Sequence, residues 1–169
     1  LARWLVECGA RHLILTSRSG AAHPDSAAFV KELEERGVEV RAMPTDVGSP
    51  NDVRELFAKI ESDPHPLRGV FHLAMVIDDA PLAALTPERM RAVVRPKAGG
   101  AWLLHEATRE LKLDAFVMFS SVSSIFGNPA QGNYSAANAF IDALAHHRQA
   151  LGLPALTVNW GVLGGDGYV

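Results

Sequence analysis

The sequence has little cysteine and no long hydrophobic run. Its one cysteine, Cys8, excludes an internal disulfide and fits the reducing cytoplasm, where we expect the protein to reside. We interpret Cys8 as a small buried apolar residue. No apolar stretch approaches the roughly 18 residues of a membrane-spanning helix, so we expect neither a membrane partner nor a signal peptide.

The chain also lacks a strong excess of either charge. Its 16 Lys and Arg residues against 19 Asp and Glu residues give a net charge of −3, and the basic residues are scattered. This balance predicts no nucleic-acid partner.

The seven histidines show no metal-ligand spacing, because the adjacent His146 and His147 would point about 100° apart on a helix. We therefore predict no metal site.

Apolar runs typical of strands alternate with amphipathic stretches typical of helices. We predict strands at 12–17, 38–47, 69–76, 115–121 and 156–162, and helices at 25–36, 49–62, 86–110 and 133–151. Several strand runs are continuously apolar, as expected of parallel strands covered on both faces. The pattern predicts an α/β protein with a doubly wound parallel sheet and ligands at the carboxyl ends of its strands.

Local signals support the helix boundaries. Ser49 and Thr86 each precede a proline, as at a helix N-terminus, and Gly37 and Gly152 follow helices where a left-handed residue is favoured. Trp4 and Trp102 lie at apolar helical positions and are expected in the core.

The first strand of a dinucleotide-binding fold and its glycine-rich turn have no counterpart in this sequence. The chain opens with LARWLVECGA, which has helical spacing and no initiator methionine. We therefore expect a piece of a larger protein whose first helix is present and whose first strand is missing. Because that strand is central in the common strand order, we predict a gap between strands 12–17 and 69–76.

The end of the strand at 12–17 indicates the cofactor. An acidic residue at this point selects NAD, whereas an arginine accommodates the 2′-phosphate of NADP. The strand ends Thr16-Ser17-Arg18 without a carboxylate, which favours NADPH, although a solvated loop arginine is the alternative. Asp46, after the next strand, either accepts from an adenine amino group or caps the helix near Ser49.

Ser121 and Tyr134 form the strongest chemical signal. Ser121 ends an apolar strand and Tyr134 lies thirteen residues later on the next helix, so their hydroxyls can converge on one carbonyl oxygen. A serine hydroxyl can stabilise alkoxide charge, and a phenol can neutralise it by proton donation.

A tyrosine in this role needs a nearby lysine. The phenol reference pKa is about 10, and an ammonium about 4 Å away lowers it by about 3 units. No lysine follows on the Tyr134 helix, so Lys97 is the best candidate, with Pro96 interrupting its helix and Gly99-Gly100 allowing close backbone approach. Asn138 could hold an ordered water for proton supply.

Each residue also has a structural interpretation. The serines at 120–124 could simply be polar residues at the end of a strand, and Tyr134 could be a partly buried aromatic residue. Lys97 could be a solvated helix residue, and Asn138 could bond to a neighbouring loop. Asp78-Asp79 is expected in a loop that touches substrate. Taken together with the α/β order and with Arg18, these four residues favour a catalytic site over the structural interpretations.

These residues resemble the catalytic half of a ketoreductase domain from a modular type I polyketide synthase, within the short-chain dehydrogenase/reductase superfamily. The similarity covers essentially the whole chain and rests on LILTSRSG, TDV, GVFHLAMVIDDAPL, RPKAGGAWLLHEAT, FVMFSSVSS, GNPAQGNYSAANAFIDALA and VNWGV. It implies a Rossmann-like fold and a catalytic tetrad of Tyr134, Ser121, Lys97 and Asn138. It also implies NADPH contacts at Thr16, Ser17, Arg18, Asp46, Val47, Ala74, Lys97 and Gly161.

The resemblance extends to stereochemical fingerprints. Ile77-Asp78-Asp79 resembles the Leu-Asp-Asp motif of B-type ketoreductases, and Pro129 and Asn133 fit the same type. Phe126 stands where A-type domains carry tryptophan. The resemblance therefore implies a (3R)-hydroxyacyl product.

The expected function is NADPH-dependent reduction of a β-ketoacyl chain on an acyl carrier protein, beside other domains of the same synthase. Residues 1–169 are expected to be a partial domain that continues beyond both ends. Met75 departs from the family by replacing a glycine near the cofactor. Alternatives are a fatty-acid-synthase-type ketoreductase, a reductase-inactive structural domain, and a sugar epimerase relative, which would carry lysine in place of Asn138.

Overall fold

The computed structural model describes residues 1–162, which divide into two compact units, residues 1–66 and the residues from 67 onward. The strands form two parallel sheets, one in each unit. In the first unit β1 (His12–Ser17) pairs in parallel with β2 (Glu39–Pro44). In the second unit β4 (Ala115–Ser121) lies between β3 (Gly69–His72) and β5 (Leu156–Trp160), also in parallel. Residues 1–162 thus contain one two-stranded sheet and one three-stranded sheet.

The first unit places three helices around its ladder: α1 (Ala2–Glu7), α2 (Pro24–Glu35) and α3 (Pro50–Glu61). Its core consists of apolar side chains from α1, α2 and the two strands, with Leu33 fully buried. Complete burial of one such leucine contributes about 2 kcal/mol. The strand predicted over 38–47 is shorter than expected, because β2 pairs with β1 only as far as Pro44, opposite Ser17, where β1 also ends.

The second unit contains α4 (Pro87–Val94), a π-helix (Arg95–Gly99), α5 (Gly100–Thr108), α6 (Ser123–Phe126) and α7 (Gly132–Ala150), with a 3₁₀ turn at Leu82–Ala84. The single helix predicted over 86–110 is thus three helical segments, since Pro96 cannot donate a backbone hydrogen bond. The strand predicted over 69–76 ends at His72, and residues 73–80 are irregular.

The predicted caps are confirmed. The Ser49 and Thr86 side chains accept hydrogen bonds from the backbone N–H groups of Asp52 and Arg89, respectively. Gly37 and Gly152 have φ values of 77° and 74°, the left-handed conformation expected after a helix.

Helix α7 packs against β4, β5, α4 and α6. Near its end, the fully buried Arg148 places its guanidinium 3.8 Å from the Phe116 ring centroid. Arg148 also donates to the Pro154 carbonyl at 3.1 Å and to the Thr108 hydroxyl at 3.3 Å. One side chain therefore joins α7, α5, β4 and the turn before β5.

Three expectations about burial are wrong. Cys8 is exposed, and so are Trp4 and Trp102, at 56% and 42%. Trp102 lines an open apolar groove with Val94, Ala98, Gly99 and Phe140. None of the helices within residues 1–162 combines the length and apolar character needed to cross a bilayer.

Candidate active site

Ser121 is the last residue of β4. Alternate residues of that strand, Phe116, Met118 and Ser120, are buried, which leaves Ser121 half-buried at the carboxyl end. Its Oγ accepts from the Ser123 N–H at 3.2 Å, and its carbonyl accepts from the Ser124 hydroxyl at 2.9 Å. Among residues 1–162 the Ser121 hydroxyl donates to no protein group, so it can donate to a substrate oxygen.

Tyr134 lies in the first turn of α7 and is half-buried. Its backbone N–H donates to Oδ1 of Asn133 at 2.8 Å, and the fully buried Asn133 donates through Nδ2 to the Asp78 carbonyl at 2.8 Å. The start of α7, and with it the phenol, is thereby fixed to the loop after β3.

Lys97 occupies the middle of the π-helix, a wide turn that is often found at functional sites. Its side chain is only 2% exposed, and Nζ lies 5.6 Å from the Tyr134 ring centroid. Nζ donates to the Phe119 carbonyl of β4 at 2.7 Å. Burial lowers the pKa of Lys97 to about 8, and the Asp142 carboxylate acts in the opposite direction.

His72 supports the same turn from the end of β3. It is 3% exposed, and its Nε2 donates to the Lys97 carbonyl at 2.8 Å, which places the imidazole proton on Nε2. Burial lowers the pKa of His72 to about 4. The imidazole is therefore neutral at physiological pH and adds no positive charge beside Lys97.

Asn138 is fully buried one turn after Tyr134. Its Nδ2 donates to the Tyr134 carbonyl at 2.9 Å, while its Oδ1 has no hydrogen-bond partner within the described chain. A buried acceptor without a partner is costly unless a donor such as water completes it. This geometry fits the water-holding role expected of Asn138.

The fingerprint residues lie around the loop after β3 and the start of α7. Asp79 accepts through Oδ2 from Gln131 at 2.9 Å, and Arg89 lies 3.4 Å from Oδ1 of Asp78. These contacts tie the loop to α7 and α4. Phe126 is 82% exposed, and Pro129 is also exposed.

The expected cofactor residues of the first unit lie at the carboxyl ends of β1 and β2. Thr16, Ser17 and Arg18 are exposed, and no protein group within residues 1–162 pairs with the Arg18 guanidinium. Asp46 accepts from the Gly48 N–H at 3.0 Å, and Val47 beside it is half-buried. Ser49, not Asp46, is the N-cap of α3, so the capping interpretation of Asp46 is wrong.

The other expected cofactor residues belong to the second unit. Ala74 is half-buried in the irregular segment after β3, and Gly161 is exposed after β5. Among residues 1–162, no atom lies within 4 Å of a Cβ placed at Gly161. At Gly99 the nearest described atom to such a Cβ is the Val94 carbonyl oxygen, 4.0 Å away, so no close backbone approach is seen at this one of the two glycines.

Sequence spacing missed the contacts of Asn159 and Asp142. Asn159 Nδ2 lies 2.9 Å from Oδ2 of Asp142 and 2.9 Å from the Ser124 hydroxyl. Asp142 stands eight residues after Tyr134, a helical spacing that marks the same face. That spacing is the one signal in the sequence that could have indicated Asp142 as a residue of the site.

Sequence spacing also missed a surface cluster of His12, Glu39 and His65, whose ligand atoms lie within 4.8 Å of one another. The two imidazoles stack with centroids 3.5 Å apart and planes 20° apart. The Arg41 guanidinium donates to Oε1 of Glu39 at 2.9 Å, and Nδ1 of His12 lies 3.3 Å from Oε2, so both carboxylate oxygens already have protein partners. We assign no metal to this cluster.

Comparisons with known proteins agree with this geometry. A family model described as the KR domain matches residues 1–165. The chain is 49% identical over 158 residues to the polyketide synthase GfsB of Streptomyces halstedii, covering 94% of this chain and 3% of that protein. It is 46% identical over 163 residues to the phenolphthiocerol synthesis polyketide synthase type I Pks15/1 of Mycobacterium marinum, covering 96% of this chain and 8% of that protein.

Solved structures show the same relationship. One described as an A-type ketoreductase from a modular polyketide synthase aligns with a TM-score of 0.94 at 47% identity, covering 99% of this chain and 36% of that chain. The predicted Rossmann-like parallel α/β fold is thereby confirmed. The chain spans only a small part of its curated relatives, and it belongs to the KR domain family, the ketoreductase domains of polyketide synthases.

Proposed function

We propose that this chain carries the catalytic residues of an NADPH-dependent reductase. Its substrate is a β-ketoacyl thioester on an acyl carrier protein, and its product is the (3R)-hydroxyacyl chain of polyketide biosynthesis. The observation that carries the proposal is the buried Lys97 ammonium, 5.6 Å from the ring of Tyr134. Family membership supplies the reaction class.

The reaction reduces a ketone to an alcohol. The chemistry that NADPH supplies when bound is a hydride for the β-carbonyl carbon. Ser121 donates a hydrogen bond to the carbonyl oxygen, where negative charge develops, and Tyr134 gives that oxygen its phenolic proton. The Lys97 ammonium stabilises the phenolate left behind, and Asn138 holds a water that returns the proton.

The residues of the first unit fit a 2′-phosphorylated dinucleotide. Arg18 is exposed at the end of β1, where the adenosine ribose binds in dinucleotide folds, and its donors are not occupied by a carboxylate of the described chain. A guanidinium fork matches a phosphate geometrically. These features support NADPH as the preferred cofactor.

The loop after β3 supports a (3R) product. Ile77-Asp78-Asp79 resembles the Leu-Asp-Asp fingerprint of B-type domains, and its hydrogen bonds to Gln131 and Asn133 hold it beside the start of the Tyr134 helix. A-type character belongs to the solved relative and is not transferred here, since Phe126 replaces the tryptophan expected of that type.

The proposed setting is a cytoplasmic multidomain synthase. The curated relatives are large polyketide synthases of which this chain matches 3% and 8%. We propose that residues 1–169 form part of a ketoreductase domain that extends beyond both ends, beside the other domains of the synthase.

Replacing Tyr134 with phenylalanine tests the proton donor. We expect Tyr134→Phe in the complete domain to lower the rate by about 10²–10⁴-fold, the usual contribution of a positioned proton donor, with little change in NADPH affinity. The measurement follows NADPH oxidation with a β-ketoacyl thioester. Undiminished turnover would reject the role of Tyr134.

The same assay tests the alternative of an inactive domain. A wild-type domain that binds NADPH tightly without turnover would indicate a reductase-inactive scaffold, and Met75 would be the first residue to test as the cause.

Replacing Arg18 with alanine tests the cofactor preference. We expect Arg18→Ala to weaken NADPH binding by roughly 10- to 100-fold while leaving NADH binding nearly unchanged, because only NADPH carries the 2′-phosphate. Fluorescence titration of both cofactors measures the effect. Arg54→Ala, at an exposed position of α3, is the matched control. Equal loss for both cofactors would mean that Arg18 is structural.

The configuration of the product tests the fingerprint. We expect the wild-type complete domain to give mainly the (3R) alcohol from a β-ketoacyl thioester. Chiral chromatography of the hydroxy product against both standards measures this directly. Mainly (3S) alcohol would reject the B-type assignment while leaving the reductase itself intact.

A further inference from the structure

We infer that Asp142, held by Asn159, is a positioning residue that keeps Lys97 charged beside Tyr134. The inference rests on the proposed reductase function and adds two residues to its machinery. Both lie in the second unit, on α7 and β5, within the part of the chain that the structure describes.

The position of Asp142 on α7 is the first support. Residues 134, 138 and 142 follow the i, i+4, i+8 spacing that places side chains on one helix face. Asp142 Oδ2 accepts from Asn159 at 2.9 Å, whereas Oδ1 is buried and has no hydrogen-bond partner within the described chain.

Asn159 links this carboxylate to the end of β4. Its Nδ2 lies 2.9 Å from the Ser124 hydroxyl, 3.2 Å from the Ser120 hydroxyl and 3.3 Å from the Ser121 carbonyl. Because one amide nitrogen has two hydrogens, these acceptors and Asp142 share them. Asn159 therefore holds Asp142 and the backbone of Ser121 in one arrangement.

The charges around Lys97 give the second support. Nζ contacts the Phe119 carbonyl and lies 5.6 Å from the centroid of the Tyr134 ring. The neutral His72 bonds to the backbone carbonyl of Lys97, and Arg95 is exposed on the same π-helix. Against the effect of burial, the negative charge of Asp142 raises the pKa of Lys97. Among the described residues, Asp142 is the carboxylate that acts on this group.

The hydrogen bond from Asn159 does not by itself require an acid at position 142, because a neutral asparagine could also accept it. A carboxylate differs from that asparagine in its negative charge. A buried charge is less costly when an opposite charge acts on it. The Asp142 carboxylate and the Lys97 ammonium act on each other in this sense.

The test compares the pH dependence of kcat in the complete ketoreductase domain. We expect Asp142→Asn to move the alkaline limb of the profile to lower pH by about one unit, with KM nearly unchanged, because Lys97 loses its proton earlier. Asp142→Glu, which keeps the charge, should restore the wild-type limb. Asp142→Ser removes the charge with a smaller side chain, in case the asparagine variant does not fold.

Asp114→Asn is the matched control, since Asp114 is an exposed carboxylate that pairs with Arg68 before the other end of β4. It should leave the limb in place. An unshifted limb in both neutral Asp142 variants overturns the inference, even if kcat falls.

A titration of Lys97 by NMR, using its side-chain Cε signal, separates this inference from the proposed function. It requires no turnover, so it decides the role of Asp142 even if the wild type reduces no ketone. A lower Lys97 pKa in Asp142→Asn supports the inference, and an unchanged value overturns it.

Discussion

The burial of the Lys97 ammonium is the constraint on which the second unit depends. The Phe119 carbonyl accepts a hydrogen bond from Nζ, and the negative charge of Asp142 raises the pKa of Lys97 against the effect of burial. The π-helix supports this arrangement by widening the backbone around Pro96, and His72 fixes the wide turn through the Lys97 carbonyl. A lysine held in this way places a fixed positive charge near Tyr134, where a phenolate needs it.

Elements with strong local signals could be predicted from the sequence. Proline and a capping side chain start α3 and α4, and glycines with positive φ follow α2 and α7. The end of β3 could not be predicted in this way, because the apolar run 69–76 continues past the last residue that finds a pairing partner in β4. The π-helix was foreseen only as an interruption at Pro96, since its geometry depends on tertiary contacts of Lys97.

The candidate site also contains residues that could be predicted from the sequence and contacts that could not. Ser121, Tyr134, Lys97 and Asn138 could be proposed from residue type and spacing. The contacts of Asn159 could not, because Asp142 and Ser124 are distant from it in sequence and meet it only when β5 pairs with β4. The exposure of Cys8, Trp4 and Trp102 was likewise missed, because apolar spacing on a helix does not reveal which face a neighbouring element covers.

The pH dependence of stability tests the central claim, that Lys97 is buried as an ammonium at physiological pH. A lysine whose pKa falls from about 10.5 to about 8 on folding binds fewer protons in the folded state across that interval, so stability rises with pH there. We predict that the difference in unfolding free energy between the wild-type complete domain and Lys97→Met stays flat between pH 6 and 7.5, then rises by about 3 kcal/mol in favour of the wild type between pH 8 and 10.5. A rise that already begins below pH 7 would contradict the account, because Lys97 would then be buried as a neutral amine.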